Sequence, residues 1–120
     1  MRKLIALLAL AALVAGPAAL AKERNVAMVG KPLTPKAGQA WNATISVKVD
    51  RKLVAGKAPV VRIISSAGRT VNVASRATTT AGIYRARIVF PSVGMWRVIV
   101  VDRETGRAYE FHRMNVRAAT

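Results

Sequence analysis

Residues 82–102 read GIYRARIVFPSVGMWRVIVVD, and this stretch limits the fold more than any other part of the chain. Twice a glycine is followed two places later by a large aromatic residue and then by an alternating run, as Gly82-x-Tyr84 and as Gly94-x-Trp96. In the first run Tyr84, Ala86, Ile88 and Phe90 share one phase, and Arg85 and Arg87 take the other. In the second, Trp96, Val98 and Val100 share a phase. A period of two puts apolar residues on one face of a strand and cannot make an apolar stripe on a helix. Each glycine relaxes the backbone as the chain enters its strand, and each aromatic is expected to plug one end of a core between two sheets.

The same period recurs elsewhere. In WNATISVKVD, Trp41, Ala43, Ile45, Val47 and Val49 alternate with polar residues, and Trp41 is a third expected plug. VVRIIS and TVNVA read as short strands with Val61, Ile63, Val71 and Val73 inward, joined by a turn around Gly68. Val26–Val29 is followed by Pro32 and Pro35, which confines it to an irregular first strand after a loose tail at Lys22–Asn25. The last strand is AYEFHRMNV, after a hairpin turn DRETGR. Its phase slips: Tyr109 and Phe111 alternate on one phase, Met114 and Val116 on the other, so a β-bulge near His112 or Arg113 is predicted. No helical period of useful length follows residue 21. The expected fold is all-β, a seven-stranded antiparallel immunoglobulin-like β-sandwich over residues 22–120.

Residues 1–21 are set apart from that domain. Arg2 and Lys3 precede an apolar run from Leu4 to Val14, Gly16 and Pro17 break it, and Ala19-Leu20-Ala21 is a small-residue cleavage signal. A membrane span needs about 20 apolar residues, more than this run supplies. The expected outcome is a signal peptide cleaved after Ala21 and a free, soluble, secreted or periplasmic product. With no cysteine in the sequence, a disulfide framework and lipid attachment at a cysteine are both excluded.

The quoted stretches resemble a known group. Pro35–Val47, Gly82–Asp102 and Phe111–Val116 are similar to the bacterial extracytoplasmic immunoglobulin-like domains of the YtkA-like and FixH-like kind. The matching positions are hydrophobic and turn residues, so the resemblance implies a fold more than an activity. Some members of that group occur near copper or heme-copper oxidase assembly systems. The chain departs from the FixH kind in that its N-terminal segment reads as cleaved, not as a retained anchor.

Catalytic constellations are poorly supplied. The sole histidine is His112, and none of Ser46, Ser65, Ser66, Ser75 or Ser92 sits in a nucleophile elbow. A glycine-rich phosphate loop is missing from the sequence. The expectation is no enzyme and no small-molecule substrate. The metal candidate is the HRM stretch: His112 and Met114 are two apart, so a regular strand points them the same way, and Met95 and Met28 could complete a soft set suited to copper. Calcium at Asp102 and Glu104 is weaker, because acidic turn residues usually satisfy the turn itself.

Charge is the stronger signal. The formal net charge is +15 at pH 7, with five carboxylates in the whole sequence. Such a balance favours anionic polymers, anionic lipid surfaces and nucleic acid; an exported chain with buried aromatics makes nucleic acid the poor choice. Two basic surfaces are predicted. One sandwich end gathers Arg51, Lys52, Lys57, Arg76, Arg103 and Arg107 beside Asp50, Asp102 and Glu104, and arginines there offer forked donors to phosphate or carboxylate. One sheet face carries Arg62, Arg97 and Arg113 among Val60, Ile64, Met95, Ile99 and Val101, the composition of a partner surface. The expected function is a secreted, non-catalytic binding or scaffolding module of the bacterial envelope. Its partner is an anionic polymer, a membrane surface or a protein on the Ile64–Met95–Ile99 face, and the alternative is a copper-binding accessory protein.

Overall fold

A computed structural model describes residues 23–119; the expected signal peptide, residues 1–21, lies outside the described residues. The strands are β1 (Arg24–Val29), β2 (Ala40–Val49), β3 (Lys52–Leu53), β4 (Val60–Ser65), β5 (Thr70–Ala74), β6 (Arg76–Ala77), β7 (Ile83–Val89), β8 (Gly94–Val101) and β9 (Ala108–Val116). All pair antiparallel, in two sheets. The first sheet has the order β1-β2-β7-β6, with β3 also on β2; the second has the order β5-β4-β8-β9. Among the described residues no helix is long and apolar enough to cross a membrane.

The period-two runs fill the space between the sheets. Ala43, Ile45, Val47, Tyr84, Ala86 and Ile88 of the first sheet meet Val61, Ile63, Trp96, Val98, Val100 and Met114 of the second in one buried cluster. Each fully buried valine or isoleucine contributes about 1.5–3 kcal/mol. Among the described residues this cluster runs from Val26 to Val116.

The two glycine–aromatic units plug opposite ends of the core. Tyr84 is buried, and its hydroxyl accepts from the Gly56 amide at 3.1 Å and donates to the Gly56 carbonyl at 3.2 Å. Trp96 is buried at the other end against Phe90, ring centroids 6.0 Å apart, and its indole N–H donates to the Ser92 carbonyl at 2.9 Å. Trp41, the third expected plug, is only half-buried and leans on His112 with ring centroids 6.0 Å apart.

Two expectations need correction. The strands number nine, not seven, because β3 and β6 form ladders of two residues each. β3 follows a two-residue hairpin loop, Asp50–Arg51, in which both residues take positive φ (52° and 70°). That geometry favours Asn-Gly or Asp-Gly, so an Asp-Arg pair gives no turn signal. Second, Arg24 and Asn25 are strand residues rather than tail, paired with Val49 and Lys48. The expected bulge in β9 is present next to His112: Val98 pairs with His112 and Ile99 with Glu110, leaving Phe111 as the extra residue. The purpose inferred from the sequence holds, since Tyr109 and Phe111 pack on the core and Met114 and Val116 enter it.

The glycines of the two units are required to different degrees. Gly82 has φ +83°, and a Cβ there would lie 2.7 Å from the Val54 backbone nitrogen; Gly94 has φ +116° but open space around it. Gly82→Ala is therefore expected to cost about 3 kcal/mol or more, and Gly94→Ala about 1–2 kcal/mol. Urea denaturation of the two variants measures the difference, and equal costs would contradict the packing described for Gly82.

Candidate binding surfaces

The predicted arginine face forms on the outside of the second sheet. Register aligns Ile64, Arg97 and Arg113 in one cross-strand row, Arg62, Ile99 and Glu110 in the next, and Val60, Val101 and Ala108 in the third. Arg62 donates to the Asn72 side-chain oxygen at 3.0 Å. Ile99 is only 7% exposed despite its outward position, flanked in register by the long side chains of Arg62 and Glu110. Arg97 and Arg113 stand directly opposite each other, a repulsive pairing. Glu110 resolves it by accepting from both, at 2.8 Å each. The hydrogen bonds from Arg113 and then Arg97 hold the Glu110 carboxyl below its usual range.

The predicted charged end is built around its acids. Asp102 is 2% exposed, and the Arg24 guanidinium grips both carboxylate oxygens, with Nη2 to Oδ1 at 3.0 Å. Asp102 also accepts from the Glu104 amide at 3.0 Å and the Thr105 hydroxyl at 3.2 Å. Burial alone pushes this carboxyl up; Arg24 and the Glu104 amide overcome that, and the net shift is downward. Glu104 accepts from the Lys57 amide at 2.7 Å, which ties the 102–107 turn to the loop after β3. Asp50 accepts from the Glu23 amide at 3.1 Å. Arg51, Lys57, Arg103 and Arg107 lie in the loops of this end and Lys52 in β3 beside it, all exposed, with four of the five acids among them; Arg76 is instead in β6, opposite Arg85 of β7.

The metal candidates are divided. The bulge gives His112 the phase of Met114 and Val116, facing the space between the sheets. His112 Nε2 lies 3.2 Å from the Gly30 carbonyl oxygen. Met114 is buried in the core, whereas Met95 is exposed on the outer face beside Asn115, so the two thioethers stand on opposite sides of the sheet. Among the described residues no three His, Cys, Asp or Glu side chains are grouped to hold a metal ion.

Sequence reasoning missed two further basic groups. On the outside of the first sheet Arg76 and Arg85 stand opposite each other with Arg87 two places on, beside a groove of about 330 Å³ shared with Asn42 and Val73. Among the described residues no carboxylate bridges this pair as Glu110 bridges the other. The second group is at the end remote from Asp102, where the loop carrying Lys31 and Lys36 lies against Arg117 after β9. Positive charge was legible in the sequence; which loops share an end depended on the connections.

Removing Arg24 leaves a buried carboxylate unpaired. Arg24→Ala is expected to cost about 2–3 kcal/mol, the low side for a buried pair because the Arg24 side chain keeps 22% exposure. The sign with pH follows from the depressed Asp102 pKa. Its contribution is full above the unfolded-state value near 3.9 and disappears as pH falls through the lower folded value. Urea midpoints followed from about pH 6 to pH 2 should fall steeply for the parent chain, whereas Asp102→Asn should start lower and decline less. Parallel curves would contradict this role of Asp102.

No protein-family model, curated protein or solved structure matches the chain.

Proposed function

We propose that the chain is an exported, non-catalytic binding module of the bacterial envelope whose basic surface engages an anionic partner. The observation that carries this reading is the use made of the carboxylates. Among the described residues only Arg24, Arg97 and Arg113 hold one in an ion pair, and Asp50 and Glu104 accept from backbone amides instead. Apart from Arg62 on Asn72 and Arg107 over the Tyr109 ring, the remaining lysines and arginines of the described residues have no side-chain partner there, and exposed guanidinium groups bind phosphate and carboxylate through forked hydrogen bonds. A surface of this kind accelerates encounter with polyanions and loses affinity as salt rises.

The fine topology in this reading is immunoglobulin-like, as the YtkA-like and FixH-like resemblance implies. The order β1-β2-β7-β6 opposite β4-β8-β9 supports it, with β5 as an added strand beside β4. Export rests on the character of residues 1–21.

The test is co-sedimentation of the chain from Lys22 onward with envelope fractions. Retention at low salt and release at high salt is the expected result, with Arg62→Glu and Arg97→Glu together weakening retention by about tenfold. Loss of retention at both salts, or retention indifferent to both salt and the two reversals, would overturn the basic-surface reading.

A further inference from the structure

The two ends of the sandwich differ in charge and in exposed apolar surface. Glu23, Asp50, Asp102 and Glu104 all lie at the end formed by the loops after β2, β5 and β8. The opposite end is made of residues 30–39, 66–69, 90–93 and 117–119, whose side chains include no carboxylate. Backbone hydrogen bonds fasten the first of these segments to two others, Ala37 N to Arg117 O at 2.8 Å and Gly38 N to Phe90 O at 2.9 Å, and Ser66 N is held by Met95 O of β8 at 3.0 Å. The exposed large apolar residues follow the same division. Among the described residues Val29, Leu33, Val93 and Met95 are at or beside the carboxylate-free end, and of the exposed large apolar residues only Leu53 lies toward the other.

Leu33 is the extreme case. It is 98% exposed at the tip of Lys31-Pro32-Leu33-Thr34-Pro35-Lys36. The two prolines fix φ on either side of the tip and so lower the entropy lost when it is immobilised. Behind the tip the loop is tied down, with the Arg117 amide donating to the Pro35 carbonyl at 3.0 Å. Beside it is an open cavity of about 340 Å³ lined by Lys31, Leu33, Arg113, Asn115 and Arg117. An apolar prong next to a basic hollow matches a lipid, with the acyl boundary meeting the prong and the phosphate meeting the hollow. Soluble polyanions offer nothing to Leu33. A protein partner would need no carboxylate-free rim, but an anionic bilayer repels carboxylates and attracts each lysine and arginine near its surface.

We propose that this end docks on an anionic lipid bilayer, with Leu33 entering the headgroup–acyl boundary and Lys31 and Arg117 holding a lipid phosphate, while Arg113 at the edge of the hollow stays paired with Glu110. The proposal rests on the reading that the basic surface meets an anionic envelope partner, and it names the bilayer as that partner. The acidic end then points away from the membrane, and the Arg62–Arg97 face stands upright beside it.

The test is flotation of the chain from Lys22 onward with vesicles of phosphatidylglycerol and phosphatidylcholine, and with phosphatidylcholine alone. The parent chain should bind the anionic vesicles and ignore the neutral ones. Leu33→Ser should weaken binding by about tenfold while leaving the urea midpoint unchanged, since Leu33 touches no core residue. Lys31→Glu with Arg117→Glu should abolish binding, and inorganic phosphate at millimolar concentration should not compete it away. Leu33→Ser binding as tightly as the parent, or binding lost only in Arg62→Glu with Arg97→Glu, would overturn the docking geometry. Retention by envelope fractions without any vesicle binding would overturn the bilayer and leave the broader reading standing. Failure in both assays would remove both.

Discussion

Asp102 sits where the two sheets meet, almost without solvent, and the rest of the architecture is arranged around its neutralisation. An isolated buried carboxylate is costly, so it must be paired and hydrogen-bonded. Arg24 supplies the charge from the first sheet, while Glu104 and Thr105 supply donors from the turn that follows β8. The pair therefore ties the first strand of one sheet to the last hairpin of the other. It also explains why the chain segment at Arg24, which has no alternating pattern of its own, is held as an ordered strand.

This local requirement has a consequence for the whole surface. A sequence with only five side-chain carboxylates places four at one end, where Asp50, Asp102 and Glu104 hold turn and loop groups, and the fifth between two opposed arginines on a sheet face. Elsewhere the basic residues have no internal counterpart of that kind among the described residues. The molecule is in that sense electrically lopsided, and its exposed apolar side chains lie mostly on the carboxylate-free side. Fold stability and surface chemistry are thus linked through the same few acids.

The core was largely legible in the sequence because strand alternation is a local signal. Trp96, Val98 and Val100 are inward because every second position must be. The phase slip in the last strand was legible for the same reason, and the bulge at Phe111 accounts for it. What escaped notice carried no alternating pattern of its own. The β3 ladder depends on a hairpin loop of atypical composition, and β6 depends on two residues meeting β7 in passing. Of the candidate surfaces, the Arg62–Arg97–Arg113 face could be read because all three share strand phase. The Lys31–Arg117 end could not, since nothing in a linear sequence says that a proline-rich loop and the C-terminal segment lie side by side.

The orientation of the molecule on its partner is the central claim, and the lack of native cysteine allows it to be tested at single positions. An environment-sensitive fluorophore would be attached to Leu33→Cys in one variant and to Thr105→Cys in another, and its emission followed as anionic vesicles are added. Opposite ends of one domain should respond differently: a blue shift at position 33 and none at position 105. A shift at position 105 without one at position 33, or equal shifts at both, would contradict an account in which the carboxylate-free end is the one that docks.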